Sequence, residues 1–202
     1  MTEVHPDKVV LSIDGVGAFD HISRARIFTE LLQNPQLHVL VPFVRQWYGL
    51  QSDFRWIDEN GISHTIVQGD GGEQGDALMP GLFCLALHPA LVEIRRRLPP
   101  GAEIIAYLDY IYVVCDTNDA QYILHDVQTV LQSICRIDVH TGKLVIWGNT
   151  PAPCPADIAT LAPTAWKCDA PLPERGIKIL GTPFGTDEYV QSYGMKLAEK
   201  RA

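Results

Sequence analysis

The chain has 202 residues, 47% of them hydrophobic and 20% charged, and a formal net charge of −8. That length accommodates one ordinary domain with a continuous core, and that composition excludes a disordered chain. No apolar run approaches the roughly 20 residues of a membrane-spanning helix, and the acidic balance argues against a whole-surface grip on nucleic acid, whose phosphates are met by Lys and Arg.

Residues 1–8 carry no apolar signal core, so the expectation is an intracellular protein of nucleus or cytoplasm, not secreted and without membrane contact. Positive charge is uneven: Arg95, Arg96 and Arg97 cluster, and Lys196, Lys200 and Arg201 close the chain. Any contact with nucleic acid must therefore be local. The five cysteines at 84, 115, 135, 154 and 168 form no C-x-x-C pair, which supports neither a zinc site nor a disulfide framework. Cys84, Cys115 and Cys135 lie in apolar stretches and are expected to be small buried hydrophobes.

In chain order, Lys8 to Ile13 is a β-branched apolar run, read as a buried strand ending at Asp14. Ser23 caps a helix over 24–33 that Asn34-Pro35 closes, and a second helix is expected over 37–48, ended by Gly49. Runs at 54–57 and 64–67 flank Asp58-Glu59-Asn60-Gly61, a hairpin signal. A Gly-rich loop at 69–75 leads into a helix over 76–97, with Pro80 in its first turn and a kink at Pro89; Pro99-Pro100-Gly101 stops it. Strand-like runs at 103–108 and 111–115 are separated by Asp109-Tyr110, a tight hairpin.

Asp119 caps a helix to about residue 134, followed by strand-like runs at 136–139 and 144–147. Residues 150–173 are Pro- and Ala-rich, with at most a short helix, and a last strand pair is expected at 177–180 and 182–184. This order predicts an α+β fold, a mostly antiparallel sheet with helices on one face.

Asp14 and Asp109 both emerge from strands too apolar to lie on a surface. An ionised group there is costly unless paired or metal-bound, and a divalent cation relieves the repulsion of two carboxylates. The plainer reading makes both turn residues, a common role of Asp, and spacing alone favours it. Two other readings of the Gly-rich loop fail. Gly75 is followed by Asp76-Ala77, not by the G-K-[ST] of a phosphate-binding loop, and a calcium loop begun at Asp70 would have Gly81 where it needs Glu.

Leu11-Ser-Ile-Asp14-Gly-Val-Gly-Ala-Phe19-Asp20-His-Ile-Ser-Arg24 is similar to the first palm motif of non-LTR retrotransposon reverse transcriptases. Gly72-Glu-Gln74-Gly75-Asp76-Ala-Leu-Met-Pro80-Gly-Leu-Phe83 is similar to the second, and Ala106-Tyr107-Leu108-Asp109-Tyr110-Ile-Tyr-Val-Val114 to the third, the metal-binding hairpin. Thr141-Gly-Lys143 and Leu180-Gly-Thr-Pro-Phe-Gly185 resemble the lysine motif and the primer grip. All five stand in the family's order.

The resemblance implies an RNA-directed DNA polymerase palm that adds deoxynucleotides to a primer 3′-hydroxyl by two-metal phosphoryl transfer. Its cofactor would be Mg²⁺, two ions, with Mn²⁺ as a substitute. Its partners would be an RNA template, a DNA primer and deoxynucleoside triphosphates; it names no protein partner. Asp14 and Asp109 would hold the metals, and Lys143 would serve the departing pyrophosphate. Phe19 would exclude a 2′-hydroxyl, Gln74 and Gly75 would contact the nascent pair, and Leu180 and Gly181 would lie along the primer.

The third motif normally has two aspartates, and here the second is Tyr110. A phenol carries no charge at neutral pH, so that metal position is degenerate; Asp20 lies six residues past Asp14 and is not counted as its replacement. Ala77 replaces a common Pro, a mild change. Fingers and thumb are expected to be largely missing, which leaves apolar surface around Trp47, Trp56 and Trp166 exposed. The expected layout is a palm core over 1–149, a connection over 150–175 and a primer-grip-like hairpin with tail over 176–202. Two alternatives stand beside this one. One is a catalytically dead palm remnant that binds nucleic acid or protein. The other is a different palm nucleotidyltransferase, an RNA-templated RNA polymerase or a nucleotide cyclase, against which Phe19 and the Gln74-Gly75-Asp76 loop speak.

Overall fold

The apolar run at the start of the chain does form a strand, and among the described residues the named strands pair antiparallel, with one isolated parallel bridge from Ile146 to Trp166. The structure, a computed structural model, describes residues 5–73 and 75–200. In chain order the elements begin with β1 (Lys8–Asp14), α1 (Ala18–His21), α2 (Arg24–Gln33) and α3 (Val41–Tyr48). A hairpin of β2 (Ser52–Ile57) and β3 (Ser63–Gln68) comes before α4 (Met79–Arg97). Then follow β4 (Glu103–Tyr107), β5 (Tyr110–Asp116), α5 (Ala120–Cys135), β6 (Val145–Gly148) and α6 (Ala156–Leu161). The last elements are β7 (Gly176–Ile179), β8 (Thr182–Gly185) and α7 (Asp187–Glu199).

Two compact units emerge. A sheet unit takes in residues up to 15, 94–129 and 139 onward; a helical unit takes in 16–93 and 130–138. The sheet unit is built on four strands in the order β4-β5-β1-β6. Val9, Leu11 and Ile13 alternate along β1 and are almost fully buried, as the period of two requires. On the opposite face Val10, Tyr112, Val114 and Trp147 pack with Ile177, so β7 rests on the sheet.

In the helical unit Ser23 caps α2, accepting the Arg26 N–H at 3.3 Å as its sequence position predicts. Arg24 is buried, and its guanidinium donates to three separate acceptors: Gly71 O at 2.8 Å, Leu50 O at 2.7 Å and Ser52 Oγ at 3.2 Å. The same guanidinium lies over the Tyr48 ring, 5.2 Å from its centroid. One side chain thus joins α2, the end of α3, the start of β2 and the Gly-rich loop.

Several expected boundaries move, each for a local reason. The helix expected over 37–48 splits into a 3-10 turn (Pro35–Leu40) and α3, because Pro42 has no N–H to continue the ladder and Asn34 caps the turn through Gln36 N. α4 starts at Met79, not 76, because the Asp76 carboxylate binds the Leu78 N–H at 2.8 Å and holds the loop in a turn. Pro89 is accommodated inside α4. The run at 136–139 is no strand: Arg136 takes a left-handed φ of 61° that ends α5, and only a Gly15–Val139 bridge remains. α7 went unread, although Thr186 caps it and Asp187 and Glu188 fill its first turn.

Trp47 and Trp56 are more than half exposed, as expected, but Trp166 is buried and donates to Ala152 O at 2.8 Å. Cys84 is exposed, contrary to expectation, because its place on α4 turns it away from the core; Cys168 is buried instead. Burial pushes the Cys115 thiol up to about 12 and those of Cys135 and Cys168 to about 11, as for inert core thiols. Among the described residues no helix is long and apolar enough to cross a membrane.

Burial, followed by the hydrogen bond to Asp76, raises the Tyr48 phenol from 10.0 to about 12. The folded state therefore holds this proton more tightly than the unfolded chain does. Its contribution is complete below pH 10 and is lost as the pH rises towards 12. Alkaline unfolding curves of the protein and of Tyr48→Phe are expected to converge across that window. Parallel curves would refute the link.

Candidate nucleic-acid site in the sheet unit

Asp14 is the last residue of β1, and the β1–β5 register sets it directly across from Tyr110. Seven consecutive pairs fix that register, so Tyr110 cannot exchange places with Asp109 without turning every side chain of β5 to the other face. The hairpin turn falls one residue earlier than expected. Leu108 and Asp109 form it, and Tyr110 begins β5 opposite Tyr107, where an aromatic ring suits the pleated surface. Leu108 takes a left-handed φ of 53°, strain of the kind tolerated where surrounding structure fixes it. Asp109 is thereby held at the tip, beside Asp14's cross-strand partner.

Lys143 stands in a 3-10 turn (Thr141–Lys143), and its Nζ meets Asp14 Oδ2 at 3.0 Å. The turn is tied to the same residue through the backbone, since His140 N donates to Asp14 O at 2.8 Å. The hydrogen bond and charge of Asp14, reinforced by Tyr110 and Asp109, hold the Lys143 ammonium above its ordinary range. Asp14 is the main partner of that ammonium.

A groove of about 1010 Å³ runs from Asp14 past Tyr110 and Tyr112 to β7 and α7. Lys143, Lys167, Lys178 and Lys196 line it, four of the chain's six lysines, against Asp14 and Glu174. A chain of net charge −8 thus sets most of its lysines along one groove. Each comes from a different element: Lys143 from its turn, Lys178 from β7, Lys196 from α7, and Lys167 from a segment hydrogen-bonded to β6 through Ile146 O at 2.8 Å. Leu180 and Gly181 form the β7–β8 turn with φ of 47° and 88°, the two left-handed residues of a type I′ hairpin. That turn reaches the sheet where Leu180 N donates to the Tyr112 hydroxyl at 3.3 Å.

The other predicted residues lie in the helical unit. Phe19, on α1, stacks on Phe83 with centroids 4.4 Å apart and an interplanar angle of 13°. The Gly-rich loop is fastened beneath it: Gly72 N donates to Phe19 O at 3.0 Å and Gly71 N to Ile22 O at 2.8 Å. Gly75 is exposed at a φ of 100°, open to glycine and few others. Gln74 lies outside the described residues. Sequence reasoning missed Arg24, Lys167 and Lys178 as organising residues, and only Lys178, between two isoleucines on a strand, carried a periodicity signal.

The family described as "Reverse transcriptase (RNA-dependent DNA polymerase)" matches residues 1–184. The chain belongs to the reverse transcriptase family. No curated protein matches it. Among solved structures, this reverse transcriptase chain is similar to telomerase from Candida albicans in complex with a fragment of telomeric RNA, at 16% identity and a TM-score of 0.57, over 91% of this chain and 30% of that one. It is likewise similar to apo telomerase from Candida tropicalis truncated from its C-terminal domain, at 12% identity and a TM-score of 0.57, over 90% of this chain and 34% of that one. These likenesses show the fold. The chain spans about a third of the length of those structures.

Reverse transcriptases as a family use divalent metal ions, so the donor set has to be tested against them. Here it offers the carboxylates of Asp14 and Asp109, a phenol at Tyr110, and an ammonium already bound to Asp14. Among the described residues no group of three or more His, Cys, Asp or Glu side chains is gathered for a metal. These residues do not fit a two-ion centre.

Proposed function

We propose that this chain is the palm of a non-LTR retroelement reverse transcriptase and that its groove holds the 3′ end of a primer paired to an RNA template. The carrying observation is the gathering of Lys143, Lys167, Lys178 and Lys196 along one groove that ends at Asp14. Phosphates are bound by such local positive charge, and bound counterions are released as they are neutralised. The Leu180-Gly181 turn would follow the primer backbone, and Phe19 and Gln74-Gly75 would meet the incoming deoxynucleotide and its template base. In an intact centre, Asp14 and Asp109 would be the shared metal ligands and Lys143 would face the leaving pyrophosphate.

Tyr110 and the Asp14–Lys143 pair favour one specific reading of this copy: it binds the primer–template end without extending it. Fluorescence anisotropy with a DNA primer on an RNA template tests this at several salt concentrations. Binding is expected to weaken with salt, and Lys167→Ala/Lys178→Ala/Lys196→Ala is expected to lower the log–log salt slope by about one per lysine. An unchanged slope would falsify the groove reading. Primer extension by the unaltered chain at the level of Tyr110→Asp would sink the binding-only reading.

A further inference from the structure

The misfit at the metal position points to what has taken its place. A divalent ion at Asp14 would have to displace a cation that is part of the chain. Lys143 reaches Asp14 Oδ2 at 3.0 Å from a turn whose preceding residue, His140, donates its backbone N–H to Asp14 O. That bond holds the backbone of the turn beside Asp14, within reach of the ammonium.

An exposed ion pair is weak by itself, so its strength does not decide the matter; the charge balance around it does. Asp14, Asp109 and Lys143 sum to −1, and a second aspartate in place of Tyr110 would make that −2. Mg²⁺ sheds its water reluctantly and needs carboxylates to compensate. At −1, with one carboxylate oxygen occupied, that compensation is withdrawn. The fixed register keeps the Tyr110 ring, 43% exposed, across from Asp14 in the space a third carboxylate would have occupied.

We infer that the Lys143 ammonium is the resident cation of this site, replacing the divalent ion at Asp14, and that the groove takes nucleic acid without metal. The ligand named here rests on the groove reading above; the replacement of the metal does not.

The test uses the whole chain and Mn²⁺ as the probe, with free Mn²⁺ followed by its electron paramagnetic resonance signal. The unaltered protein is expected to leave the free signal undiminished. Tyr110→Asp/Lys143→Ala is expected to bind Mn²⁺ and to diminish the free signal at the same metal concentration. Lys143→Gln, with circular dichroism as the check on folding, is a milder variant that should gain part of that affinity. Mn²⁺ binding by the unaltered protein as tight as by the double variant overturns the inference. So does primer–template binding by the unaltered protein that collapses when EDTA is added. Failure to bind the duplex with or without metal counts against the groove reading alone, and the Mn²⁺ titration still decides the rest.

Discussion

Replacing Arg24 by Met is expected to destabilise the protein by about 2–3 kcal/mol, because Gly71 O, on a buried residue, loses its donor at a cost of about 1–3 kcal/mol and the part-buried bonds to Leu50 O and Ser52 Oγ go with it. The guanidinium serves Gly71 O, Leu50 O and Ser52 Oγ at once from a residue only 4% exposed. Met keeps the apolar stem and its packing, so the loss reports the hydrogen bonds. The Tyr48 ring also loses the cation above it. Urea unfolding should show a lower midpoint with an unchanged slope, and hydrogen exchange should rise first at Gly71 and Gly72. Lys at this position is expected to rescue little, since a single ammonium cannot span three acceptors that a planar fork reaches. A loss below about 1 kcal/mol would mean that the acceptors find other partners.

Gly71→Ala is expected to be damaging too, by a different route. Gly71 sits at a φ of 70°, and a Cβ there would fall 2.1 Å from the backbone oxygen of Asp20. Backbone cannot swing aside as a side chain can, so the loop must leave its seat. Its bonds to Phe19 and Ile22 go with it. Gly61→Ala is the internal control: φ is 78° there too, but nothing lies within 4 Å of the added atom. Gly61→Ala should cost about 1–2 kcal/mol, the left-handed penalty alone, and Gly71→Ala several times more. Equal shifts in melting temperature for the two would show that the close approach to Asp20 is relieved at no cost.

What could be read beforehand follows from how local each signal is. The strand at 8–14, the Ser23 cap, the Asn60-Gly61 turn and the two late strands are written in adjacent residues, and the structure places all of them. The five motifs in series placed the chain in its family. Boundaries moved where one side chain competes with the backbone, as at Asp76, or where one proline breaks a ladder, as at Pro42. Arg24 looked like an ordinary first-turn helix residue, because Leu50 and Gly71, which bury it, lie far along the chain. The lysines of the groove share no spacing; the fold alone brings them together. Tyr110 was visible as a departure from the motif. That it faces Asp14 across the ladder was not, since the turn was expected one residue later.

One feature of the sheet bears on how the molecule is made. β1, nearest the start of the sequence, lies in the interior of the strand order, between β5 and β6. Its partners are synthesised long after it, and the Asp14–Lys143 contact closes across 129 residues. High contact order slows folding, since chain entropy must be surrendered before distant pairings repay it. On a ribosome the first strand therefore waits, apolar and unpaired, until β5 has emerged, and its other edge stays open until β6 follows. The carboxylate at its end meets Tyr110 with the first of these partners and Lys143 only afterwards, so the site is assembled in two steps.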